Sequence, residues 1–95
     1  MYVPYVWVVV KLNIEQETHY KILADFGGEW RLSSGIVQIV DCDHFYKIYN
    51  YSGSVYHCYK DSQRMSGYTE GIYTAYKFDH NIETVDIGEI CEQYS

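Results

Sequence analysis

From Tyr5 to Ile14 the chain reads Tyr-Val-Trp-Val-Val-Val-Lys-Leu-Asn-Ile, a stretch dominated by β-branched and aromatic side chains. Such side chains lose rotamer freedom against the preceding turn of a helix but pack well on a pleated surface, so the run specifies a strand. It is apolar on both alternating faces up to Val10, which makes that strand central in its sheet. Lys11 and Asn13 then alternate with Leu12 and Ile14, and this predicts the even-numbered face, Val6, Val8, Val10, Leu12 and Ile14, as the more buried one.

The remaining composition agrees with a β fold. Only 3 leucines (Leu12, Leu23, Leu32), 2 alanines and 1 proline are present, whereas tyrosine occurs 12 times against 3 phenylalanines. Ala and Leu are the residues from which helices are usually built. A length of 95 residues at 11.2 kDa supports one domain, 1–95, and a hydrophobic share of 47% excludes disorder by low hydrophobicity.

Further strands are expected at His19–Phe26 and Glu29–Leu32, joined by Gly27-Gly28 as a tight hairpin turn, and at Ile36–Val40 and Phe45–Tyr51. Ser52-Gly53-Ser54 joins the last of these to a strand over Val55–Lys60. Asp61–Gly71 reads as a polar loop, Ile72–Phe78 as a strand, Asp79-His80-Asn81 as a turn and Ile82–Ile87 as a final strand ended by Gly88. Glu89–Ser95 has room for one helical turn with Ile90, Cys91 and Tyr94 on one side. The expected fold is mainly β, an antiparallel meander of about six to seven short strands, as a curled sheet or an SH3-like or OB-like barrel with at most one short C-terminal helix. An α+β fold is the alternative.

The longest apolar run, Tyr2 to Val10, holds a proline and stops at Lys11, too short to span a bilayer and lacking the flanks of a secretory signal. Cys42, Cys58 and Cys91 are odd in number and form no C-x-x-C, so a reducing, cytoplasmic setting is expected. Cys42-x-His44 and His57-Cys58 supply zinc-type ligands, but neighbours on a strand point to opposite faces, so at most three of the four converge. Asp41 and Asp43, two apart, would share a strand face as a carboxylate pair, with no third carboxylate to complete a cage. No nucleophile elbow, phosphate loop or dinucleotide loop is present. Neither a metal, a cofactor nor an enzymatic activity is expected.

With 13 acidic against 7 basic residues the formal charge is −6, which disfavours nucleic acid and anionic membrane as partners and favours a neutral or basic protein surface. Tyr46, Tyr49, Tyr51, Tyr56 and Tyr59 concentrate on one hairpin with both strand parities represented, so they cannot all face one core. Tyrosine offers large contact area at low rotamer cost, and these five are the expected binding anchors, with Asp41, Asp43, Asp61 and Glu70 as steering charges. In size, acidity and composition, though in no motif, the chain resembles phage-encoded inhibitors of bacterial defence or host enzymes and toxin-neutralising immunity proteins. The resemblance implies an inhibitor that blocks a basic or nucleic-acid-binding surface of another protein. The alternatives are a β-barrel that binds single-stranded nucleic acid or a small ligand, and an oligomerising structural phage protein.

Overall fold

The computed structural model describes residues Met1–Ser95. Strands β1 (Val6–Ile14), β2 (Glu17–Asp25) and β3 (Trp30–Leu32) are followed by β4 (Ile36–Asp41), β5 (Phe45–Asn50) and β6 (Val55–Tyr59). Helix α1 (Gly67–Asp79) then leads to β7 (Asn81–Val85). One sheet has the order β3-β2-β1-β7 and the other β4-β5-β6, with antiparallel pairing throughout. The protein is mainly β, but both sheets are open and no barrel closes. Nor is it a pure meander, because β7 returns to pair with β1.

As expected, β1 is central, between β2 and β7. Its faces serve two different cores. Trp7 and Val9 join Ile22 and Ala24 against Ile39, Ile48, Tyr56 and Cys58 of the second sheet, while Val10 and Leu12 join Leu23 and Ile82 against α1. The expected dominance of the even face is therefore corrected: the odd residues Trp7 and Val9 are completely buried, and Ile14 at the strand end is exposed. Three layers result, with α1 on one side of the four-stranded sheet and the three-stranded sheet on the other. At about 1.5–3 kcal/mol for each fully buried large apolar side chain, burial on both faces makes β1 the main hydrophobic contributor.

The largest departure from expectation is α1, which replaces the end of the loop read over Asp61–Gly71, from Gly67 on, and the whole strand read over Ile72–Phe78. Its start is chemically explicit. Ser66 Oγ accepts from Thr69 N at 3.1 Å while Ser66 N donates to Thr69 Oγ1 at 2.9 Å, a reciprocal cap. Thr69, Ile72, Tyr73 and Tyr76 then fall on one helical face, where Ile72, Tyr73 and Tyr76 pack on the second core. Ile72, Thr74, Tyr76 and Phe78 also alternate, and only docking on the four-stranded sheet decides between the two periods; Phe78 ends 86% exposed. At 13 residues, no helix is long and apolar enough to cross a membrane.

Turn chemistry fixes the hairpins. Gly27 and Gly28 take φ of +86° and +115°, as the Gly-Gly turn requires. Asp25 Oδ1 accepts from both of their N–H groups, and Asp25 Oδ2 accepts from Ser66 Oγ at 2.6 Å. This buried carboxylate therefore ties the β2–β3 turn to the start of α1. The C-terminal segment docks as anticipated, with Ile90 in the main core and Cys91 and Tyr94 packed against it. There Ile39 N donates to Tyr94 O at 2.9 Å across the outer edge of β4.

Candidate functional site

Strand parity sorts the hairpin tyrosines. Tyr46 pairs with Cys58 and Ile48 with Tyr56 on the inward face of the three-stranded sheet, whereas Phe45 pairs with Tyr59, Lys47 with His57 and Tyr49 with Val55 on the outward face. Tyr56 is only 1% exposed and belongs to the core, so it is not available as an anchor. Tyr46 is half-buried beneath Lys60, whose Nζ lies 4.8 Å from its ring centroid. Burial raises the phenol pKa of both residues. Tyr49 and Tyr59 face outward, and Tyr51, in the turn after β5, is 85% exposed.

The outward face is continuous. Phe45 and His57 stack with ring centroids 3.6 Å apart and planes 11° from parallel, and Tyr59 lies 4.9 Å from His57 and edge-on to Phe45 at 6.2 Å. Lys47 stands 5.5 Å from the Tyr49 ring, and Val40 and Val55 complete the surface. None of these residues is fully buried. His57 Nε2 is shielded from solvent with no hydrogen-bond partner, an unsatisfied polar atom beside the aromatic stack. Sequence reading missed Phe45 and His57, although their parity with Tyr49 and Tyr59 was already legible.

The acids do not gather around this face. Asp41 lies opposite Tyr46, on the inward parity, where Lys60 Nζ donates to it at 2.7 Å and Asp43 N donates at 3.0 Å. The Lys60 bond, ahead of that from Asp43, holds the Asp41 carboxyl below its ordinary pKa. Asp43 sits in the β4–β5 turn at φ +73°, so the two aspartates do not form the carboxylate pair expected of a strand. Asp61 is exposed just beyond β6, and Glu70 lies in the first turn of α1, across the four-stranded sheet from the hairpin.

Cys58 points into the core and His57 outward, and no three His, Cys, Asp or Glu side chains come together as a ligand set. The cysteines are all free; burial pushes the thiol pKa of Cys58 far up and that of Cys91 up to a lesser degree. Two concave regions border the sheets. One, of about 500 Å³, opens between Tyr20 and Lys21 of β2 and Ile36 and Val37 of β4, with Tyr51 and Tyr94 also lining it. The other, of about 480 Å³, is polar and lies beside Arg31.

Compared with known proteins, the chain matches no family model, no curated protein and no solved structure.

Proposed function

We propose that this protein acts by binding another protein rather than by catalysis, and that it inhibits its partner by covering a functional surface. The observation that carries the reading is the outward face of β4-β5-β6, where Phe45, Tyr49, Val55, His57 and Tyr59 lie side by side within reach of solvent. Antiparallel sheets commonly leave one face wet, but a solvated face is ordinarily polar. Aromatic side chains concentrated at the centre of a surface are characteristic of contact cores. The net charge of −6 would steer this face toward a neutral or basic partner, with Asp43 and Asp61 as the acids without a lysine or arginine ion-pair partner at the hairpin ends.

The test is affinity capture at moderate salt from a lysate of the source cell, using the wild-type chain beside a Phe45→Ala/Tyr49→Ala/Tyr59→Ala variant of unchanged circular dichroism. Selective loss of a stoichiometric protein from the variant is the expected outcome. Equal capture by both chains, or no retained protein, refutes the assignment.

A second reading rests on the cleft of about 500 Å³ between the sheets, whose size suits a small apolar ligand. Lys21 lines it without an ion-pair partner, which would favour a ligand carrying an acidic group. Saturable quenching of tyrosine fluorescence by a medium-chain fatty acid, lost on Val37→Glu at the exposed rim of the cleft, is its expected signature.

A further inference from the structure

The polar depression beside Arg31 has a different chemistry from either surface above. It lies where β3 and the chain after it meet the β5–β6 turn, and Arg31, Ser33, Ser34, Ser52 and Ser54 line it with Tyr56 in the wall. The protein carries 13 acidic residues, yet no carboxylate borders this site. Arg31 is one of only two arginines and has no carboxylate within ion-pair distance. Its guanidinium carbon lies 4.4 Å from the Tyr2 ring centroid, so the planar donor fork is held by an aromatic face rather than by an acid.

Three serine hydroxyls there are linked to one another. Ser34 Oγ donates to Ser52 Oγ at 2.9 Å and itself accepts from Ser52 N at 3.0 Å. Ser52 Oγ lies 3.2 Å from Ser54 Oγ. Ser34 donates into Ser52 and either hydroxyl of the Ser52–Ser54 pair can donate to the other, so one O–H of that pair is left over as a donor. Ser33 is not part of this set, because its hydroxyl accepts from Ile22 N and donates to Ser34 O. The depression is thus lined by an arginine without a carboxylate partner, beside the Tyr2 and Tyr56 phenols, and by a serine pair with one O–H to spare.

We propose that this depression binds a phosphate monoester, with its oxygens between Arg31 and the Ser52–Ser54 hydroxyl pair. A tetrahedral oxyanion presents acceptors in several directions and suits donors arriving from two separate elements, whereas the guanidinium fork alone would satisfy a planar carboxylate. The volume of about 480 Å³ exceeds that of bare phosphate and leaves room for the small organic group that carries it. Neither the outward sheet face nor its partner is required for this site.

The test is a nitrogen-resolved NMR titration of the intact protein at constant ionic strength with inorganic phosphate, phenyl phosphate and benzoate. Saturable shifts are expected at the Ser34, Ser52 and Ser54 amides and at Arg31 Nε, with a Kd for phenyl phosphate of about 1 mM or below. Inorganic phosphate should bind at the same residues but several-fold more weakly, and benzoate more weakly still. Arg31→Gln should weaken phenyl phosphate at least ~10-fold and Arg31→Lys by less, since a point charge replaces a fork. The unshifted remainder of each spectrum shows that the variants are folded. No saturable shift, shifts confined to other residues, affinity unchanged by Arg31→Gln, or benzoate binding as tightly as phenyl phosphate would each overturn the proposal.

Discussion

Replacing Asp25 by alanine should be among the most damaging single polar substitutions in this chain. Asp25 is 5% exposed, and its carboxylate accepts from Gly27 N at 2.8 Å, Gly28 N at 3.2 Å and Ser66 Oγ at 2.6 Å. Hydrogen bonds to charged groups contribute about 1.5–3 kcal/mol when buried and less when the donor can return to water. Gly27 and Gly28 are exposed and rehydrate, so each counts for about 0.5 kcal/mol, and the Ser66 bond for about 2 kcal/mol. Asp25→Ala should therefore cost about 3 kcal/mol, which lowers Tm by more than about 10 °C in a domain of this size. Asp25→Asn keeps an acceptor for the glycine N–H groups and should cost about half as much. Ser66→Ala removes the helix cap as well as the bond to Asp25, so the double variant should show a coupling of at least ~1 kcal/mol. The Ser66 hydrogen bond holds the Asp25 pKa below its ordinary value despite burial. That stability is present above the ordinary carboxylate pKa and is lost as pH falls through the lowered one, so Asp25→Asn should flatten the acid limb of the stability curve. Urea unfolding followed by tryptophan fluorescence at several pH values measures all of this. A cost below about 1 kcal/mol for Asp25→Ala, or an additive cycle with Ser66→Ala, would refute the reasoning.

Three further outcomes are expected. Tyr56→Ala should cost about 3–5 kcal/mol, whereas Tyr51→Ala should cost less than about 0.5 kcal/mol; equal costs in chemical unfolding would contradict the division into core and surface. The two-residue β1–β2 turn places Glu15 and Gln16 at φ of +51° and +69°, so Glu15→Asn/Gln16→Gly should stabilise by about 1 kcal/mol, read as a raised Tm. A thiol reagent should modify Cys42 first and Cys91 more slowly, and should reach Cys58 only as the protein unfolds. Because burial raises the Cys58 pKa in the fold, its contribution is whole below the ordinary thiol range and declines as pH rises above it, so an alkaline loss of stability should shrink in Cys58→Ala.

Much of the architecture is local in origin and was therefore legible. The β1 run, the Gly27-Gly28 turn and the Ser52-Gly53-Ser54 turn each carry their geometry in residue type, and strand parity separates Tyr46 and Tyr56 from Tyr49 and Tyr59. The α1 segment failed because Ile72–Phe78 fits two periods, and its aromatic and β-branched content argues for a strand in isolation. The cap signal was present: Ser66-x-x-Thr69-Glu70 is a helix start, with threonine standing where glutamate or glutamine is more usual. The candidate surfaces were harder to read. Phe45 and His57 stack only once β5 and β6 are in register, and Arg31 meets Ser52 and Ser54 only because β3 runs beside the β5–β6 turn.

The sequence by itself determined that this acidic chain is mainly β with antiparallel strands, because β-branched and aromatic residues and turn glycines act over a few residues. Tertiary structure alone decided that the sheets stay open, that both faces of β1 are buried by different layers, and that the outer aromatic face of β4-β5-β6 is left to solvent. Those outcomes depend on which faces meet across the core, and burial free energy belongs to pairs of surfaces distant in sequence rather than to either segment alone.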